Sequence, residues 1–218
     1  MTGNEVYEVL IRRGVSYLHH ANSLITSTSL LNLGGLASRE LVEARNLPQT
    51  YQYTDQSDKN LGVWGDIFLD TVDIHKRASR RNNYGPILFV VNAEILKLAT
   101  NVLITKSNPS KWNTQTPHAT RYFTSTDELE EGLAIGEFDQ MLTLRTSNGL
   151  LPLAGLLEYI LVDDPIQGPQ PGPEFTQAQN TLMQLTDTPI IRRECQPWCK
   201  CSSGYSDAQV LSKMFSPC

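Results

Sequence analysis

Residues 61–92, LGVWGDIFLDTVDIHKRASRRNNYGPILFVVN, decide how the chain is to be read. Acids stand at Asp66, Asp70 and Asp73, His75 follows, and a basic run takes in Lys76, Arg77, Arg80 and Arg81. The turn-prone Asn82-Asn83-Tyr84-Gly85-Pro86 then leads into Ile87-Leu88-Phe89-Val90-Val91, an apolar run with the character of a buried strand. A dense polar cluster delivered onto a buried strand is how a scaffold presents a site at the end of an element. The plainer reading is an ion-paired surface loop in front of a core strand.

Around this stretch, 218 residues fit one domain, or one domain with a modest tail, and 40% hydrophobic content is enough for a core. The formal charge of −5, from 18 basic and 23 acidic residues, gives no support to broad electrostatic capture of nucleic acid. A local basic patch at 76–81 is compatible with it. No apolar run approaches the roughly 18 residues of a membrane span, so no membrane partner is expected. The start, MTGNEVYEVLIRRG, lacks the apolar core of a secretory signal. All four cysteines, Cys195, Cys199, Cys201 and Cys218, fall near the C-terminus, which argues against a disulfide framework and for a reducing cytoplasm. Their spacing matches none of the usual zinc patterns. They read as unligated thiols, with zinc or a local disulfide as alternatives.

Upstream, NEVYEVLIRR (4–13) places Val6, Val9 and Leu10 on one helical face, and Gly14 ends it. Val15–His20 reads as a strand delivering His19 and His20, which point to opposite sides of an extended chain. Leu24, Ile25, Leu30, Leu31 and Leu33 are offered to a core before the stop at Gly34-Gly35, and 36–45 reads as a second short helix. Residues 48–60 read as a polar loop whose two tyrosines either close over a ligand or are lone surface side chains that need no explanation. Downstream, 101–105, 141–146 and 157–162 read as strands, the last of them closing the core, and 126–133 reads as a capped helix. Gly136-Glu137-Phe138-Asp139-Gln140 sets polar groups at the entrance of a strand. At Asp163 the composition turns to DDPIQGPQPGPEFTQ, predicting a main domain over 1–163 and a linker with a cysteine-containing appendage over 164–218.

Three constellations carry chemistry. Asp66, Asp70, Asp73 and His75 offer carboxylates and an imidazole to a divalent metal, with His118 a third metal ligand or simply exposed, and this is the basis of an alternative reading as a metal-dependent phosphodiesterase or nuclease. His19 and His20 offer imidazoles at a strand end. Glu137, Asp139 and Gln140 stand where a carboxylate would orient a hydroxyl or face a developing positive charge. There is no His-Glu-x-x-His, no phosphate-binding glycine loop and no glycine-flanked serine elbow. A third reading is a non-enzymatic protein-interaction module with a proline-rich arm.

Four segments occur in a telling order: Tyr17-Leu18-His19-His20-Ala21-Asn22-Ser23-Leu24, Gly34-Gly35-Leu36-Ala37-Ser38-Arg39, Asn83-Tyr84-Gly85-Pro86-Ile87-Leu88-Phe89, and Glu137 to Leu144. This order resembles the ADP-ribosyltransferase superfamily, most nearly its branch of DNA-modifying toxins. There a histidine–threonine–histidine strand with Asn-Leu soon after is followed by a Gly-Leu-Ser-like turn, a Pro-Met-Leu-Tyr-like strand and a late strand headed by glutamate. Tyr17 stands at the first histidine, so His19 or His20 takes that role; the acid falls on Glu137 or Gln140. The resemblance implies an α+β fold with a cleft between small mixed or antiparallel sheets and short helices, and NAD as substrate. It also implies His19 or His20 on the adenine-side ribose, Arg77, Arg80 or Arg81 on the pyrophosphate, and Tyr84 on the nicotinamide. The catalytic set would be Glu137, Gln140 and His20. A nucleic-acid or protein acceptor, and an antitoxin or regulatory partner, complete the expectation.

Overall fold

In the computed structural model, which describes residues 1–74, 83–107, 109–134, 141–194 and 199–217, the chain runs α1 (Gly3–Arg12), β1 (Tyr17–Asn22), α2 (Leu24–Leu33), β2 (Gly35–Ala37), α3 (Arg39–Ala44), α4 (Asp55–Leu61), β3 (Ile67–Asp70) and β4 (Ile87–Asn92). It continues through β5 (Asn101–Ile104), α5 (His118–Arg121), α6 (Thr126–Ala134), β6 (Met141–Arg145), β7 (Leu150–Pro152), β8 (Leu157–Asp164), α7 (Pro173–Met183), β9 (Ile190–Glu194), α8 (Lys200–Tyr205) and α9 (Ala208–Phe215). Among the described residues the strands form a seven-stranded sheet in the order β5-β6-β3-β1-β4-β8-β9 and a small β2-β7 pair. The class is α+β, as expected.

Residues Ile87–Val91 of β4 are buried on both faces, which is why the run is apolar without alternation. β1 pairs with β4 along its whole length, Tyr17↔Asn92 to Asn22↔Ile87. Its other edge meets β3 at His19↔Asp70 alone among the described residues. The sheet is therefore two ladders, β5-β6-β3 and β1-β4-β8-β9, joined by one bridge, and they part beside it.

Helix α1 starts at a capping box between Thr2 and Glu5 and lays Val6, Val9 and Leu10 into the core. Helix α2 is capped by Ser23 and stopped by Gly34 at φ 69°, a left-handed turn that glycine adopts freely. The helix expected over 36–45 begins only after Ser38, whose Oγ accepts from Leu41 N at 3.2 Å, because Gly35–Ala37 pair with β7. The expected loop at 48–60 contains α4, which carries only one apolar residue, Leu61, and so has no stripe to betray it.

The strand expected to close the core is not the last. β9 pairs parallel with β8, Ile160↔Ile190 to Asp164↔Glu194. Phe175, Leu182, Cys199, Cys201, Tyr205, Met214 and Phe215 belong to the same core cluster as Leu24 and Leu30, so the chain beyond Asp164 is built into this sheet and core. Cys195 and Cys218 lie outside the described residues.

The junction is fixed by charge. Asp163 and Asp164 are fully buried at the end of β8. Asp164 accepts from Arg192 Nε at 2.6 Å and Gly172 N at 2.9 Å; Asp163 accepts from Arg193 Nε at 2.7 Å and Tyr205 Oη at 2.8 Å. Arg193 reaches further, donating Nη1 to Asp73 Oδ2 at 2.6 Å, and so ties the segment after β3 to the C-terminal strand. D163A leaves a buried guanidinium short of a carboxylate and is expected to lower the unfolding free energy by about 3 kcal/mol, read from the urea midpoint. A loss below about 1 kcal/mol would show that this pair behaves as a surface ion pair.

Candidate functional site

Where the two ladders part, the side chains of β1 fill the gap. His20 Nδ1 donates to the backbone carbonyl of Phe68 on β3 at 2.7 Å, and His19 Nδ1 lies 3.4 Å from the carbonyl of Asp70. Imidazoles here replace part of the strand ladder. Beside them opens a cleft of ≈ 1000 Å³, counting its mouth and the solvent open to it. Its walls come from β1 (His19, His20, Asn22), α2 (Thr26, Leu30), Ala37, Arg39 and Val42, the loop residues Gln49, Gln52 and Thr54, α4 (Ser57, Asp58), β3 with Asp66 before it, Tyr84, Pro109 and Met141.

Burial pushes the His20 pKa down to about 4, partly opposed by the Phe68 carbonyl and reinforced by nearby Arg39. His20 is therefore neutral at pH 7. Because Nδ1 holds the proton for Phe68, Nε2 carries a lone pair and accepts hydrogen bonds. Tyr84 reaches the cleft because Gly85, at φ 146°, crosses the β1–α2 junction so closely that a Cβ would lie 2.0 Å from Asn22 O. No other residue fits that crossing.

Three buried polar atoms of the wall have no hydrogen-bond partner among the described residues: Asn22 Nδ2, Arg39 Nε and Gln49 Oε1. Buried polar groups are normally satisfied, so a cluster of unsatisfied ones around one cleft marks a place built for a polar ligand. Arg39 is held by its other end, Nη2 donating to Asp55 Oδ2 at 2.9 Å and Thr50 O at 3.0 Å, and Gln49 Nε2 donates to Arg39 O at 3.2 Å. Thr50 N in turn donates to Thr26 Oγ1 at 3.0 Å, pinning the loop to α2.

Of the residues singled out from the sequence, His19, His20, Asp66, Asp70 and Tyr84 border the cleft. Glu137, Gln140, Arg77, Arg80, Arg81 and His75 lie outside the described residues; Met141, next after Gln140 in the chain, borders the cleft. Of the metal candidates, the three described ones, Asp66, Asp70 and Asp73, are not brought together. Asp66 accepts from Arg145 Nε at 2.7 Å and Asp73 pairs with Arg193, and among the described residues no group of three or more metal-ligating side chains converges. Burial raises the Asp66 pKa, which Arg145 partly offsets. His118 is exposed and lies against Tyr122, away from the cleft. Tyr51 and Tyr53 do not line it either; both stand out in solvent, and Gln52 and Thr54 between and after them face it instead.

Sequence reasoning assigned no role to Asn22, Arg39 or Gln49. Arg39 carried a signal: a cation in the first turn opposes the helix dipole, and local conflicts of that kind gather at functional sites. Gln49 carried none.

No protein-family model matches the chain, and no curated protein matches it. Solved structures do. Thermus sp. 2.9 DarT in complex with NAD+ aligns over 85% of this chain and 98% of its own, at TM-score 0.50 and 12% identity. The same protein in complex with carba-NAD+ gives the same figures, 85%, 98%, 0.50 and 12%. The chain has the DarT fold, an ADP-ribosyltransferase fold. The expected cleft between small sheets of mixed and antiparallel strands is thus present, formed by the parting of one sheet rather than by two.

A titration followed by NMR is expected to show His20 neutral, protonated at Nδ1, at pH 7 and gaining its second proton near pH 4. Because the folded pKa lies below the ordinary value of 6.5, the unfolded chain takes up the proton first. Stability should fall as pH drops from 6.5 toward 4, and an H20Q variant should lose that part of the slope.

Proposed function

We propose that this chain is an NAD-dependent ADP-ribosyltransferase that cleaves the nicotinamide–ribose bond and transfers ADP-ribose to a nucleic-acid base or a protein acceptor. The observation that carries the reading is the set of unsatisfied polar atoms around a cleft beside a neutral histidine, in the fold of a protein solved in complex with NAD+. The residue resemblance on β1, the glycine turn and β4 agrees with it.

In this reading each wall group has a task suited to its chemistry. His20 Nε2 accepts from a ribose hydroxyl, the role a neutral imidazole fills and an imidazolium does not. Asn22 Nδ2 donates to a ligand oxygen, completing the bond it lacks. Tyr84 supplies a ring face to the nicotinamide, and Arg77, Arg80 or Arg81 a guanidinium fork to the pyrophosphate. The bond from ribose C1 to the nicotinamide nitrogen breaks with its electron pair leaving on nicotinamide. The ribose passes toward an oxocarbenium ion, which Glu137 or Gln140 faces, and the acceptor nucleophile bonds to C1 and gives up its proton. A base serving as acceptor would be unpaired or drawn from its stack.

N22L removes an unsatisfied donor at similar volume. It is expected to hold or raise the thermal midpoint while weakening NAD binding about tenfold, the worth of roughly one hydrogen bond. Nicotinamide release should fall sharply in a protein carrying both E137A and Q140A; unchanged release would remove both from the acid's place. No saturable response to NAD, with stabilisation by Mg²⁺, Mn²⁺ or Zn²⁺ that is lost in D70A, would overturn the transferase reading in favour of hydrolysis.

A further inference from the structure

Helix α4 divides its side chains between two cavities. Asp55 and Lys59, one turn apart, line a neighbouring pocket with Tyr51 and Trp64, while Ser57 and Asp58 border the cleft. Asp58 has no task among the wall groups already named, yet its place is well fixed. Its N donates to Thr54 O at 2.8 Å, and its carbonyl accepts from Val63 N at 3.0 Å, where the left-handed Gly62 turns the chain out of the helix. The side chain is bonded to Thr54 and is only half-buried, so it meets the cleft as a reachable carboxylate.

Arg39 relates Asp58 to His20. The same guanidinium disfavours protonation of His20 and favours ionisation of Asp58, so all three belong to one part of the cleft. Arg39 itself pairs with Asp55 at 2.9 Å. One cation against two carboxylates leaves this region with a net negative charge, and Asp58 forms no ion pair of its own among the described residues. Burial raises the Asp58 pKa; the Thr54 bond works against that rise, Asp55 adds to it and Arg39 subtracts from it.

The lone pair of His20 Nε2 is a second acceptor in the same region. Two acceptors in a negative field suit hydroxyls, which bring protons and no charge. They do not suit a phosphate monoester, which brings only acceptor oxygens and a charge of about −1.5 to −2 at pH 7. NAD and its 2′-phosphorylated form, NADP, differ by that one group. NAD keeps its charge on the pyrophosphate in the middle of the molecule, and both of its riboses carry free hydroxyls.

Resting on the transferase reading, we propose that Asp58 sets the dinucleotide specificity of the cleft: it accepts from a hydroxyl of the adenine-side ribose and repels the 2′-phosphate of NADP. One carboxylate does both, because the group that accepts from the hydroxyl is the group that rejects the phosphate.

Calorimetric titration of the full chain with NAD and, separately, with NADP tests this. The wild type is expected to bind NAD about 100-fold more tightly than NADP. D58N keeps the shape and removes the charge. It should bind NADP about tenfold more tightly than the wild type does, and NAD somewhat less tightly. A loosened fold weakens both ligands and cannot strengthen NADP, so the gain separates specificity from stability. D58S makes the same comparison should the amide disturb α4. Wild-type protein that binds NADP as tightly as NAD overturns the inference and leaves the transferase reading intact. So does NADP binding that neither variant strengthens, which assigns its rejection to another group. No saturable binding of NAD overturns the transferase reading, and the specificity falls with it.

Discussion

The cleft follows from one short contact, the single bridge among the described residues between β1 and β3, His19 to Asp70. A sheet normally keeps its strands paired over their length, because backbone groups left in the interior must find partners elsewhere. Here β1 spends its full length on β4 and almost none on β3. The imidazole of His20 takes the Phe68 carbonyl and so meets part of the loss. That bond has a second consequence. It commits Nδ1 as the donor and leaves Nε2 as the acceptor, while burial, against the pull of that same carbonyl, keeps the ring neutral. The same residue holds the split open chemically and supplies a wall group with a defined tautomer.

A split sheet is weaker at the split, and the C-terminal chain compensates on the far side. Arg193 bridges Asp73, just past β3, to Asp163, at the end of β8, so the two ladders are linked by a partly buried cation beside the place where they part. Buried ion pairs contribute little net stability compared with apolar packing, and their better attested role is to fix register. Parallel pairing of β9 with β8 places Arg192 and Arg193 opposite Val162 and Asp163, and a slip by one residue would turn each guanidinium to the other face.

The parts legible in the sequence were those carried by local chemistry. An unbroken apolar run with glycine and proline before it could only be a buried strand, and β4 is that strand. Gly34 stops α2 because a left-handed residue is needed there, and the two histidines of β1 declared themselves by scarcity. What escaped notice depends on distant partners. Helix α4 is polar along its length and is held by Asp55 through Arg39, a residue 16 positions away. β9 reads as IIRRE, a short amphipathic edge that acquires meaning only beside β8. Gln49 belongs to a polar loop, and nothing in its neighbours tells that its amide oxygen is buried without a partner. The acid and the arginines expected from the resemblance, Glu137, Gln140, Arg77, Arg80 and Arg81, fall outside the described residues, so that part of the expectation rests on sequence.

Buried atoms without partners cost about 1–3 kcal/mol each, and a fold of marginal stability does not keep several of them by chance. Four of those found here, on Asn22, Arg39, Gln49 and Asp55, gather around two adjoining pockets. Three of the four belong to groups anchored at their other end: Arg39 through Nη2, Gln49 through Nε2, Asp55 through Oδ2. The geometry holds the free atom still at the expense of folding free energy. Such preorganisation lowers the cost of ordering on binding.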